Sequence, residues 1–212
     1  MTLTARVREM IGRLRNDNRV YVLGLHGQKH HGKSTTARYL EQKYGFVKVA
    51  IAQGLKDSYQ ALFGLSDEQL TVTDAKEAVD PFWGVSPRQM LQGGGMMLRE
   101  ELSQYIPNLD LSHYSVHLAR LVRTMYQHYQ AGHTRFVIED VRFPDELVLL
   151  KELGATVAKV VRPGYHDPYA SSSAHASETA LAHHEFAVVI LNEGDISALE
   201  QCIDKQFGRL RL

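Results

Sequence analysis

Gly27-Gln28-Lys29-His30-His31-Gly32-Lys33-Ser34 satisfies the pattern G-x-x-x-x-G-K-[ST] at every fixed position. These residue types suit the grip of a polyphosphate. A triphosphate tail packs several negative charges into a small volume, and the backbone N–H groups of such a loop and of the helix that follows it can all point at that charge. Gly27 and Gly32 admit dihedrals that a Cβ would block, and they let the main chain approach closely. Lys33 is expected to reach the β- and γ-phosphates, and the Ser34 hydroxyl to ligate Mg²⁺. The expected nucleotide-binding stretch is therefore Gly27, Gln28, Lys29, His30, His31, Gly32, Lys33, Ser34 and Thr35. His30 and His31 fill variable positions; the plainer expectation is that they face water, the alternative that they touch phosphate.

Such a loop functions only between a strand and a helix N-terminus. Both are legible. Residues 19–25 read as a buried strand, and residues 33–44 read as a helix. Downstream, strands are expected over 46–52, 136–140, 156–161 and 187–191, and helices over 53–63, 86–105, 111–131, 144–153 and 196–207. Residues 66–85 read as a mixed stretch ending in a loop at Asp80-Pro81-Phe82-Trp83-Gly84, and Gly93-Gly94-Gly95 is expected to interrupt the helix begun by Ser86-Pro87, as a break, a hinge or a close backbone approach to a ligand. Each interior glycine weakens a helix by roughly 1 kcal/mol against alanine. Residues 163–178 read as a loop rich in Gly, Pro, His, Asp and Ser. Strands alternating with helices imply an α/β fold with a mainly parallel, doubly wound sheet, whose ligands gather at the carboxyl ends of the strands.

Asp140 closes the apolar run 136–140. That is the usual place for the carboxylate that holds Mg²⁺ beside a phosphate loop. Glu139 should point to the opposite face. Arg142 follows two residues later and could fork across phosphates, or pair with Asp145 or Glu146. Arg162 ends the next strand, where a cation could neutralise a transferring phosphoryl group or simply sit on the surface.

Composition limits the alternatives. The chain has 212 residues, 24 basic and 24 acidic, so it carries no excess charge for coating a nucleic acid. Its single cysteine, Cys202, excludes an internal disulfide and fits a reducing, cytoplasmic compartment. No apolar run approaches the roughly 18 residues of a membrane span. Residues 1–18 read as an Arg-bearing surface helix rather than a targeting peptide.

Beyond the loop, several blocks carry a family resemblance: Leu55-Lys56, Phe63-Gly64-Leu65, Ser86-Pro87-Arg88-Gln89-Met90-Leu91-Gln92, Asp140-Val141-Arg142-Phe143-Pro144-Asp145-Glu146 and His175-Ala176-Ser177-Glu178. Together they resemble the deoxynucleoside monophosphate kinases of tailed phages over about residues 20–195. The resemblance implies a P-loop, nucleoside-monophosphate-kinase-like fold in a single kinase domain. The expected core lies at about 19–52 and 134–212, the helical acceptor-binding insert at about 53–132 and the lid at about 163–178. It implies transfer of the ATP γ-phosphoryl group to a deoxynucleoside monophosphate, with Mg²⁺. By the same resemblance Arg88 lies near the acceptor phosphate, Gln89 and Gln92 near its base or sugar, and Lys56 in the same pocket. Arg142 and Arg162 would stand at the donor–acceptor junction, and His175 and Glu178 in the lid. A phage origin would place the protein in a host cytoplasm. His31, where a small residue is more usual, and the triple glycine depart from the family pattern.

Two other readings use the same residues. One is a P-loop kinase for another phosphorylated acceptor, of the phosphomevalonate or dephospho-coenzyme A type; the other is a nucleotide-binding switch that transfers nothing. Phe82 and Trp83 precede the acceptor block and could sandwich a nucleobase or cap the core. His113 and His117 stand four apart with no further metal-ligand partner at a recognised spacing, which favours packing over a metal. The apolar stripe of the helix at 111–131 could serve a homodimer or the core.

Overall fold

In the computed structural model, which describes residues 1–165 and 176–207, a central sheet follows the helix α1 (Leu3–Asn16). Its strands are β1 (Tyr21–His26), β2 (Val47–Val49), β3 (Arg135–Ile138), β4 (Thr156–Val161) and β5 (Val188–Leu191). The order is β2-β3-β1-β4-β5, and all neighbours run parallel. Val22, Leu23, Gly24 and Leu25 of the central strand are all buried, as a strand covered on both faces requires. The covering helices are α2 (Lys33–Tyr44), after β1, α9 (Pro144–Glu152), between β3 and β4, and α11 (Ile196–Phe207), after β5. Leu23, Leu25, Val137 and Val160 of the sheet pack with Leu40 of α2 and with Leu199, Ile203 and Phe207 of α11.

Two compact units emerge. The sheet unit holds Val7–Ala50 and the described residues from Val122 onward; the helical unit holds Met1–Arg6 and Ile51–Leu121. The helical unit contains α3 (Gln53–Phe63), α4 (Asp67–Thr71), α5 (Thr73–Glu77), α6 (Pro87–Glu100) and α7 (Leu102–Tyr105), with a small core of Leu55, Leu65, Leu70 and Leu91 against Tyr59 and Phe63. The helix α8 (Val116–Gln130) begins in this unit and ends in the other.

Several expectations change. Gly93-Gly94-Gly95 does not interrupt α6, which runs unbroken through it. Gly94 serves close approach: a Cβ there would collide with the phenol of Tyr59, so the Tyr59 ring lies directly on the helix backbone. Helix α8 starts at Val116 rather than at 111, because Asp110 Oδ1 accepts both the backbone N–H and the hydroxyl of Ser112 and holds that segment in a turn. Residues 66–85 contain α4 and α5; Ser66 and Gln69 cap α4 reciprocally. The stripe of Leu118, Leu121, Val122 and Met125 on α8 is buried within the chain, so of its two possible uses it serves the core. No helix among the described residues is long and apolar enough to cross a membrane.

Candidate active site

The phosphate loop leaves the carboxyl end of β1 and enters α2. Gly27 has φ 152°, and a Cβ there would strike the carbonyl oxygen of Val160. Gly32, the residue that caps α2, has φ 105°. Neither position accepts a side chain without strain. Thr36 N–H donates to Gly32 O at 2.8 Å, which opens the helix. The exposed Ser34 and the half-buried Thr35 stand in the first turn of α2. Lys33 curls back onto the loop, its Nζ donating to Gly27 O and Gln28 O, each at 2.7 Å. This ammonium is held over the loop's own carbonyls, at the mouth of the amide cradle.

The two loop histidines diverge. His30 is exposed, with φ 61°. His31 is only 8% exposed, so the expectation that its bulk would point outward is wrong. Its ring turns under the loop toward the end of β4, where Nδ1 lies 3.3 Å from both Val160 O and Arg162 N. Asn192, just beyond β5, donates its side-chain amide to His31 O at 3.1 Å and its backbone N–H to Val161 O. Nothing in the sequence marked Asn192 as a support of the loop.

Asp140 lies two residues past the end of β3, which stops at Ile138 rather than running to 140. The sheet pattern nevertheless continues by one rung: Val141 N–H donates to Leu25 O at 3.2 Å. Asp140 is thereby held beside the strand that feeds the phosphate loop. Glu139 faces away toward β2, with Lys48 Nζ at 4.0 Å from Oε1.

The suggested pairing of the Arg142 side chain with Glu146 takes another form. The buried Glu146 carboxylate accepts the backbone N–H groups of Arg142 and Phe143, at 2.6 Å and 3.0 Å. It closes the turn and places negative charge at the N-terminus of α9.

His26, at the last position of β1, was not singled out from sequence. Its Nδ1 lies 2.9 Å from Val141 O, and its ring stacks on Phe186 at 4.9 Å. Burial, joined by the cations Lys159, Lys33 and Arg142, holds its pKa below the ordinary histidine value against the pull of the Val141 carbonyl. Three cations therefore act on one point at the carboxyl end of β1. Lys159, the β4 residue in register with His26, is the one that sequence reasoning missed. Arg162 is exposed, with its guanidinium 5.4 Å from the centre of the Tyr165 ring.

In the helical unit, Arg88 lies on the first turn of α6 and forms a short ion pair through Nε with Glu77 of α5, both side chains half-buried. Gln89 is engaged at the start of its own helix. Its Oε1 accepts Ser86 N–H at 2.9 Å and completes the cap of α6. Gln92 lies one turn further along α6, and Lys56 lies on α3; both are half-buried. Phe82 and Trp83 do not form a parallel sandwich. Their rings stand at 84°, and Trp83 is pinned by Nε1 to Phe63 O at 3.0 Å, leaving Phe82 82% exposed. His113 precedes α8, and the buried His117 points Nε2 at Gly95 O; no metal-binding cluster is found among the described residues. His175 lies outside the described residues. Of the lid expected at 163–178, only residues 163–165 and α10 (Ala176–Thr179), which carries Glu178, fall within them.

A family model described as deoxynucleotide monophosphate kinase matches residues 112–203. A protein of Acanthamoeba polyphaga mimivirus, named "Putative deoxynucleotide monophosphate kinase", is 36% identical over 191 residues, covering 86% of this chain and 96% of its own. Among solved structures, TT1252 from Thermus thermophilus is similar over 91% of this chain and 99% of its own, with 16% identity and a TM-score of 0.42. A dephospho-CoA kinase from Campylobacter jejuni is similar over 91% of this chain and 98% of its own, with 13% identity and a TM-score of 0.44. On the strength of its viral relative, the chain belongs to the deoxynucleotide monophosphate kinase family.

Proposed function

We propose that the chain transfers the γ-phosphoryl group of ATP to a deoxynucleoside monophosphate, giving the diphosphate and ADP. The observation that carries this reading is the shaped phosphate loop: two glycines at positive φ, Lys33 held across the loop's mouth, and Asp140 hung from the neighbouring strand. The cradle fits a polyphosphate because its glycines leave the space a Cβ would fill. Ser34 and Asp140 offer hard oxygen donors of the kind that would hold Mg²⁺, which would neutralise phosphate charge when bound.

A phosphate oxygen of the acceptor attacks the γ-phosphorus as the bond to the β,γ-bridging oxygen breaks. No protein nucleophile is needed, and catalysis rests on alignment and charge. Lys33, Arg142 and Arg162 supply positive charge for the transferring group. Arg88 binds the acceptor phosphate, with Lys56 and Gln92 in the same pocket. The protein acts on free nucleotides in a host cytoplasm, its balanced charge giving no surplus of cations for a nucleic-acid backbone.

The test is product formation from MgATP with each of the four deoxynucleoside monophosphates, with dephospho-coenzyme A and phosphomevalonate as rival acceptors. Equal amounts of ADP and a deoxynucleoside diphosphate are expected with at least one substrate. In Lys33→Ala that activity should fall by about 10²–10³. Folded protein that binds ATP and turns over none of the four would overturn the reading.

A further inference from the structure

Arg142 leaves the main chain between two peptide groups, and side chains pin both of them. The Glu146 carboxylate accepts its N–H and that of Phe143. The carbonyl that shares the first of these peptides, Val141 O, has a partner of its own: Nδ1 of His26 lies 2.9 Å away. A carbonyl only accepts, so this nitrogen carries the proton and the neutral ring leaves Nε2 bare. His26 is half-buried, and its Nε2 is not among the buried polar atoms that lack a partner, so this tautomer leaves nothing unsatisfied. The ring has little freedom to turn away. Phe186 stacks on it at 4.9 Å with the two planes 9° apart, and Phe186 is itself met edge-on by His184 at 4.7 Å. The preceding peptide, from Asp140 to Val141, is held differently, by its N–H donating to Leu25 O in the sheet ladder. Main chain therefore places Asp140, and side chains place Arg142. His26 ends β1 and Gly27 follows it, so the imidazole hangs from the strand that becomes the phosphate loop.

We propose that His26 is a positioning residue: by donating Nδ1–H to Val141 O it completes, with Glu146, a clamp on the Val141–Arg142 peptide, and so registers the Arg142 side chain against the phosphate loop. Peptide groups are planar, so fixing those on both sides of the Arg142 Cα fixes its φ and ψ, and with them the direction of its Cα–Cβ bond. Glu146 belongs to α9 and closes the turn on its own helix. His26 ties that turn to the strand of the loop, and a side chain without a donor could not make this tie. The kinetic part of this inference rests on the proposed role of Arg142 in phosphoryl transfer; the clamp itself does not.

Two substitutions separate the hydrogen bond from the ring stack. His26→Phe keeps a ring against Phe186 and has no donor. His26→Asn loses the ring and keeps a side-chain N–H close to the place of Nδ1. In the wild-type protein the His26 ring ¹⁵N shifts should show a protonated Nδ1 and a bare Nε2; a bare Nδ1 overturns the clamp without any variant. The Arg142 amide, followed by NMR, should exchange about fivefold faster in H26F, as the loss of one ordinary hydrogen bond from its peptide allows, and at close to the wild-type rate in H26N. Equal exchange in H26F and the wild type overturns the clamp. With MgATP and a deoxynucleoside monophosphate, H26F should lower kcat about tenfold while KM for either substrate changes by less than about twofold, and H26N should stay within about threefold of wild type. H26F should cost nothing further in an Arg142→Ala background. A slow H26N beside a fast H26F assigns the ring to packing and overturns the positioning role. Losses that multiply in the double variant, or an R142A protein as fast as wild type, overturn it too. A protein that phosphorylates no deoxynucleotide would fail the proposed function, while ring shifts and amide exchange would still decide the clamp.

Discussion

Arg88 and Glu77 form a short, half-buried ion pair between α6 and α5. The arginine expected to hold the acceptor phosphate is therefore aimed by a carboxylate that sequence reading passed over. Glu77→Gln keeps the shape and weakens the pull. It should raise KM for the deoxynucleoside monophosphate about tenfold while KM for ATP changes by less than about twofold. Arg88→Ala should do more in the same direction. Steady-state kinetics with each substrate varied in turn checks this; equal effects on both substrates would remove Arg88 from the acceptor site.

Glu146 should matter more than its place in a helix suggests. Two backbone N–H groups depend on its buried carboxylate. Glu146→Ala leaves both without that acceptor and should cost about 2–3 kcal/mol of stability; Glu146→Gln, which keeps one acceptor oxygen, should cost about half as much. Urea denaturation of both variants gives the comparison. A loss below about 0.5 kcal/mol in E146A would mean the turn does not rely on it.

Adjacent glycines of α6 should respond with opposite signs. A methyl group at Gly93 meets open space, so Gly93→Ala should stabilise by up to about 1 kcal/mol through helix propensity. At Gly94 the same change drives into Tyr59 and should cost about 1–3 kcal/mol. Most of that cost should disappear in a Tyr59→Ala background. Thermal unfolding of the wild type, the three single variants and the double variant checks the set.

Acid should weaken the tie between α2 and α11. Asp204 accepts from Tyr39 at 2.9 Å, from Tyr44 at 2.6 Å and from Lys43 at 2.6 Å. Burial pushes its pKa up, but these donors outweigh burial and hold it below the ordinary 3.8. The folded state then binds fewer protons than the unfolded chain near that pH. The stabilisation is complete above about pH 4 and fades as pH falls through the folded value. Urea midpoints measured from pH 6 to pH 3 should fall for the wild type and fall less steeply for Asp204→Asn.

The phosphate loop was readable because its chemistry admits few residue types: Gly27 and Gly32 must be glycine at their dihedrals, and Lys33 must carry charge. The alternation of strands and helices followed from apolar runs that suit a parallel sheet. What escaped was long-range. Gly93-Gly94-Gly95 looked like a break because helix propensity knows nothing of Tyr59, more than 30 residues earlier in the chain. His31 was expected in water because its acceptable neighbours, Val160 and Arg162, become neighbours only once β4 is laid beside β1. Glu77, Asn192 and Lys159 gave no local signal of their roles. The cap of α4 was legible and passed over: Ser66 and Gln69 have the S-x-x-Q spacing.

The single bond from Val141 N–H to Leu25 O has a wider consequence. It makes the sheet a ruler. The span between the carboxylate at 140 and the glycine at 27 is counted off in main-chain rungs, and side chains nearby have little power to alter it. Evolution can therefore redraw the surface of this corner to suit a new acceptor without recalibrating the distance between that carboxylate and the loop.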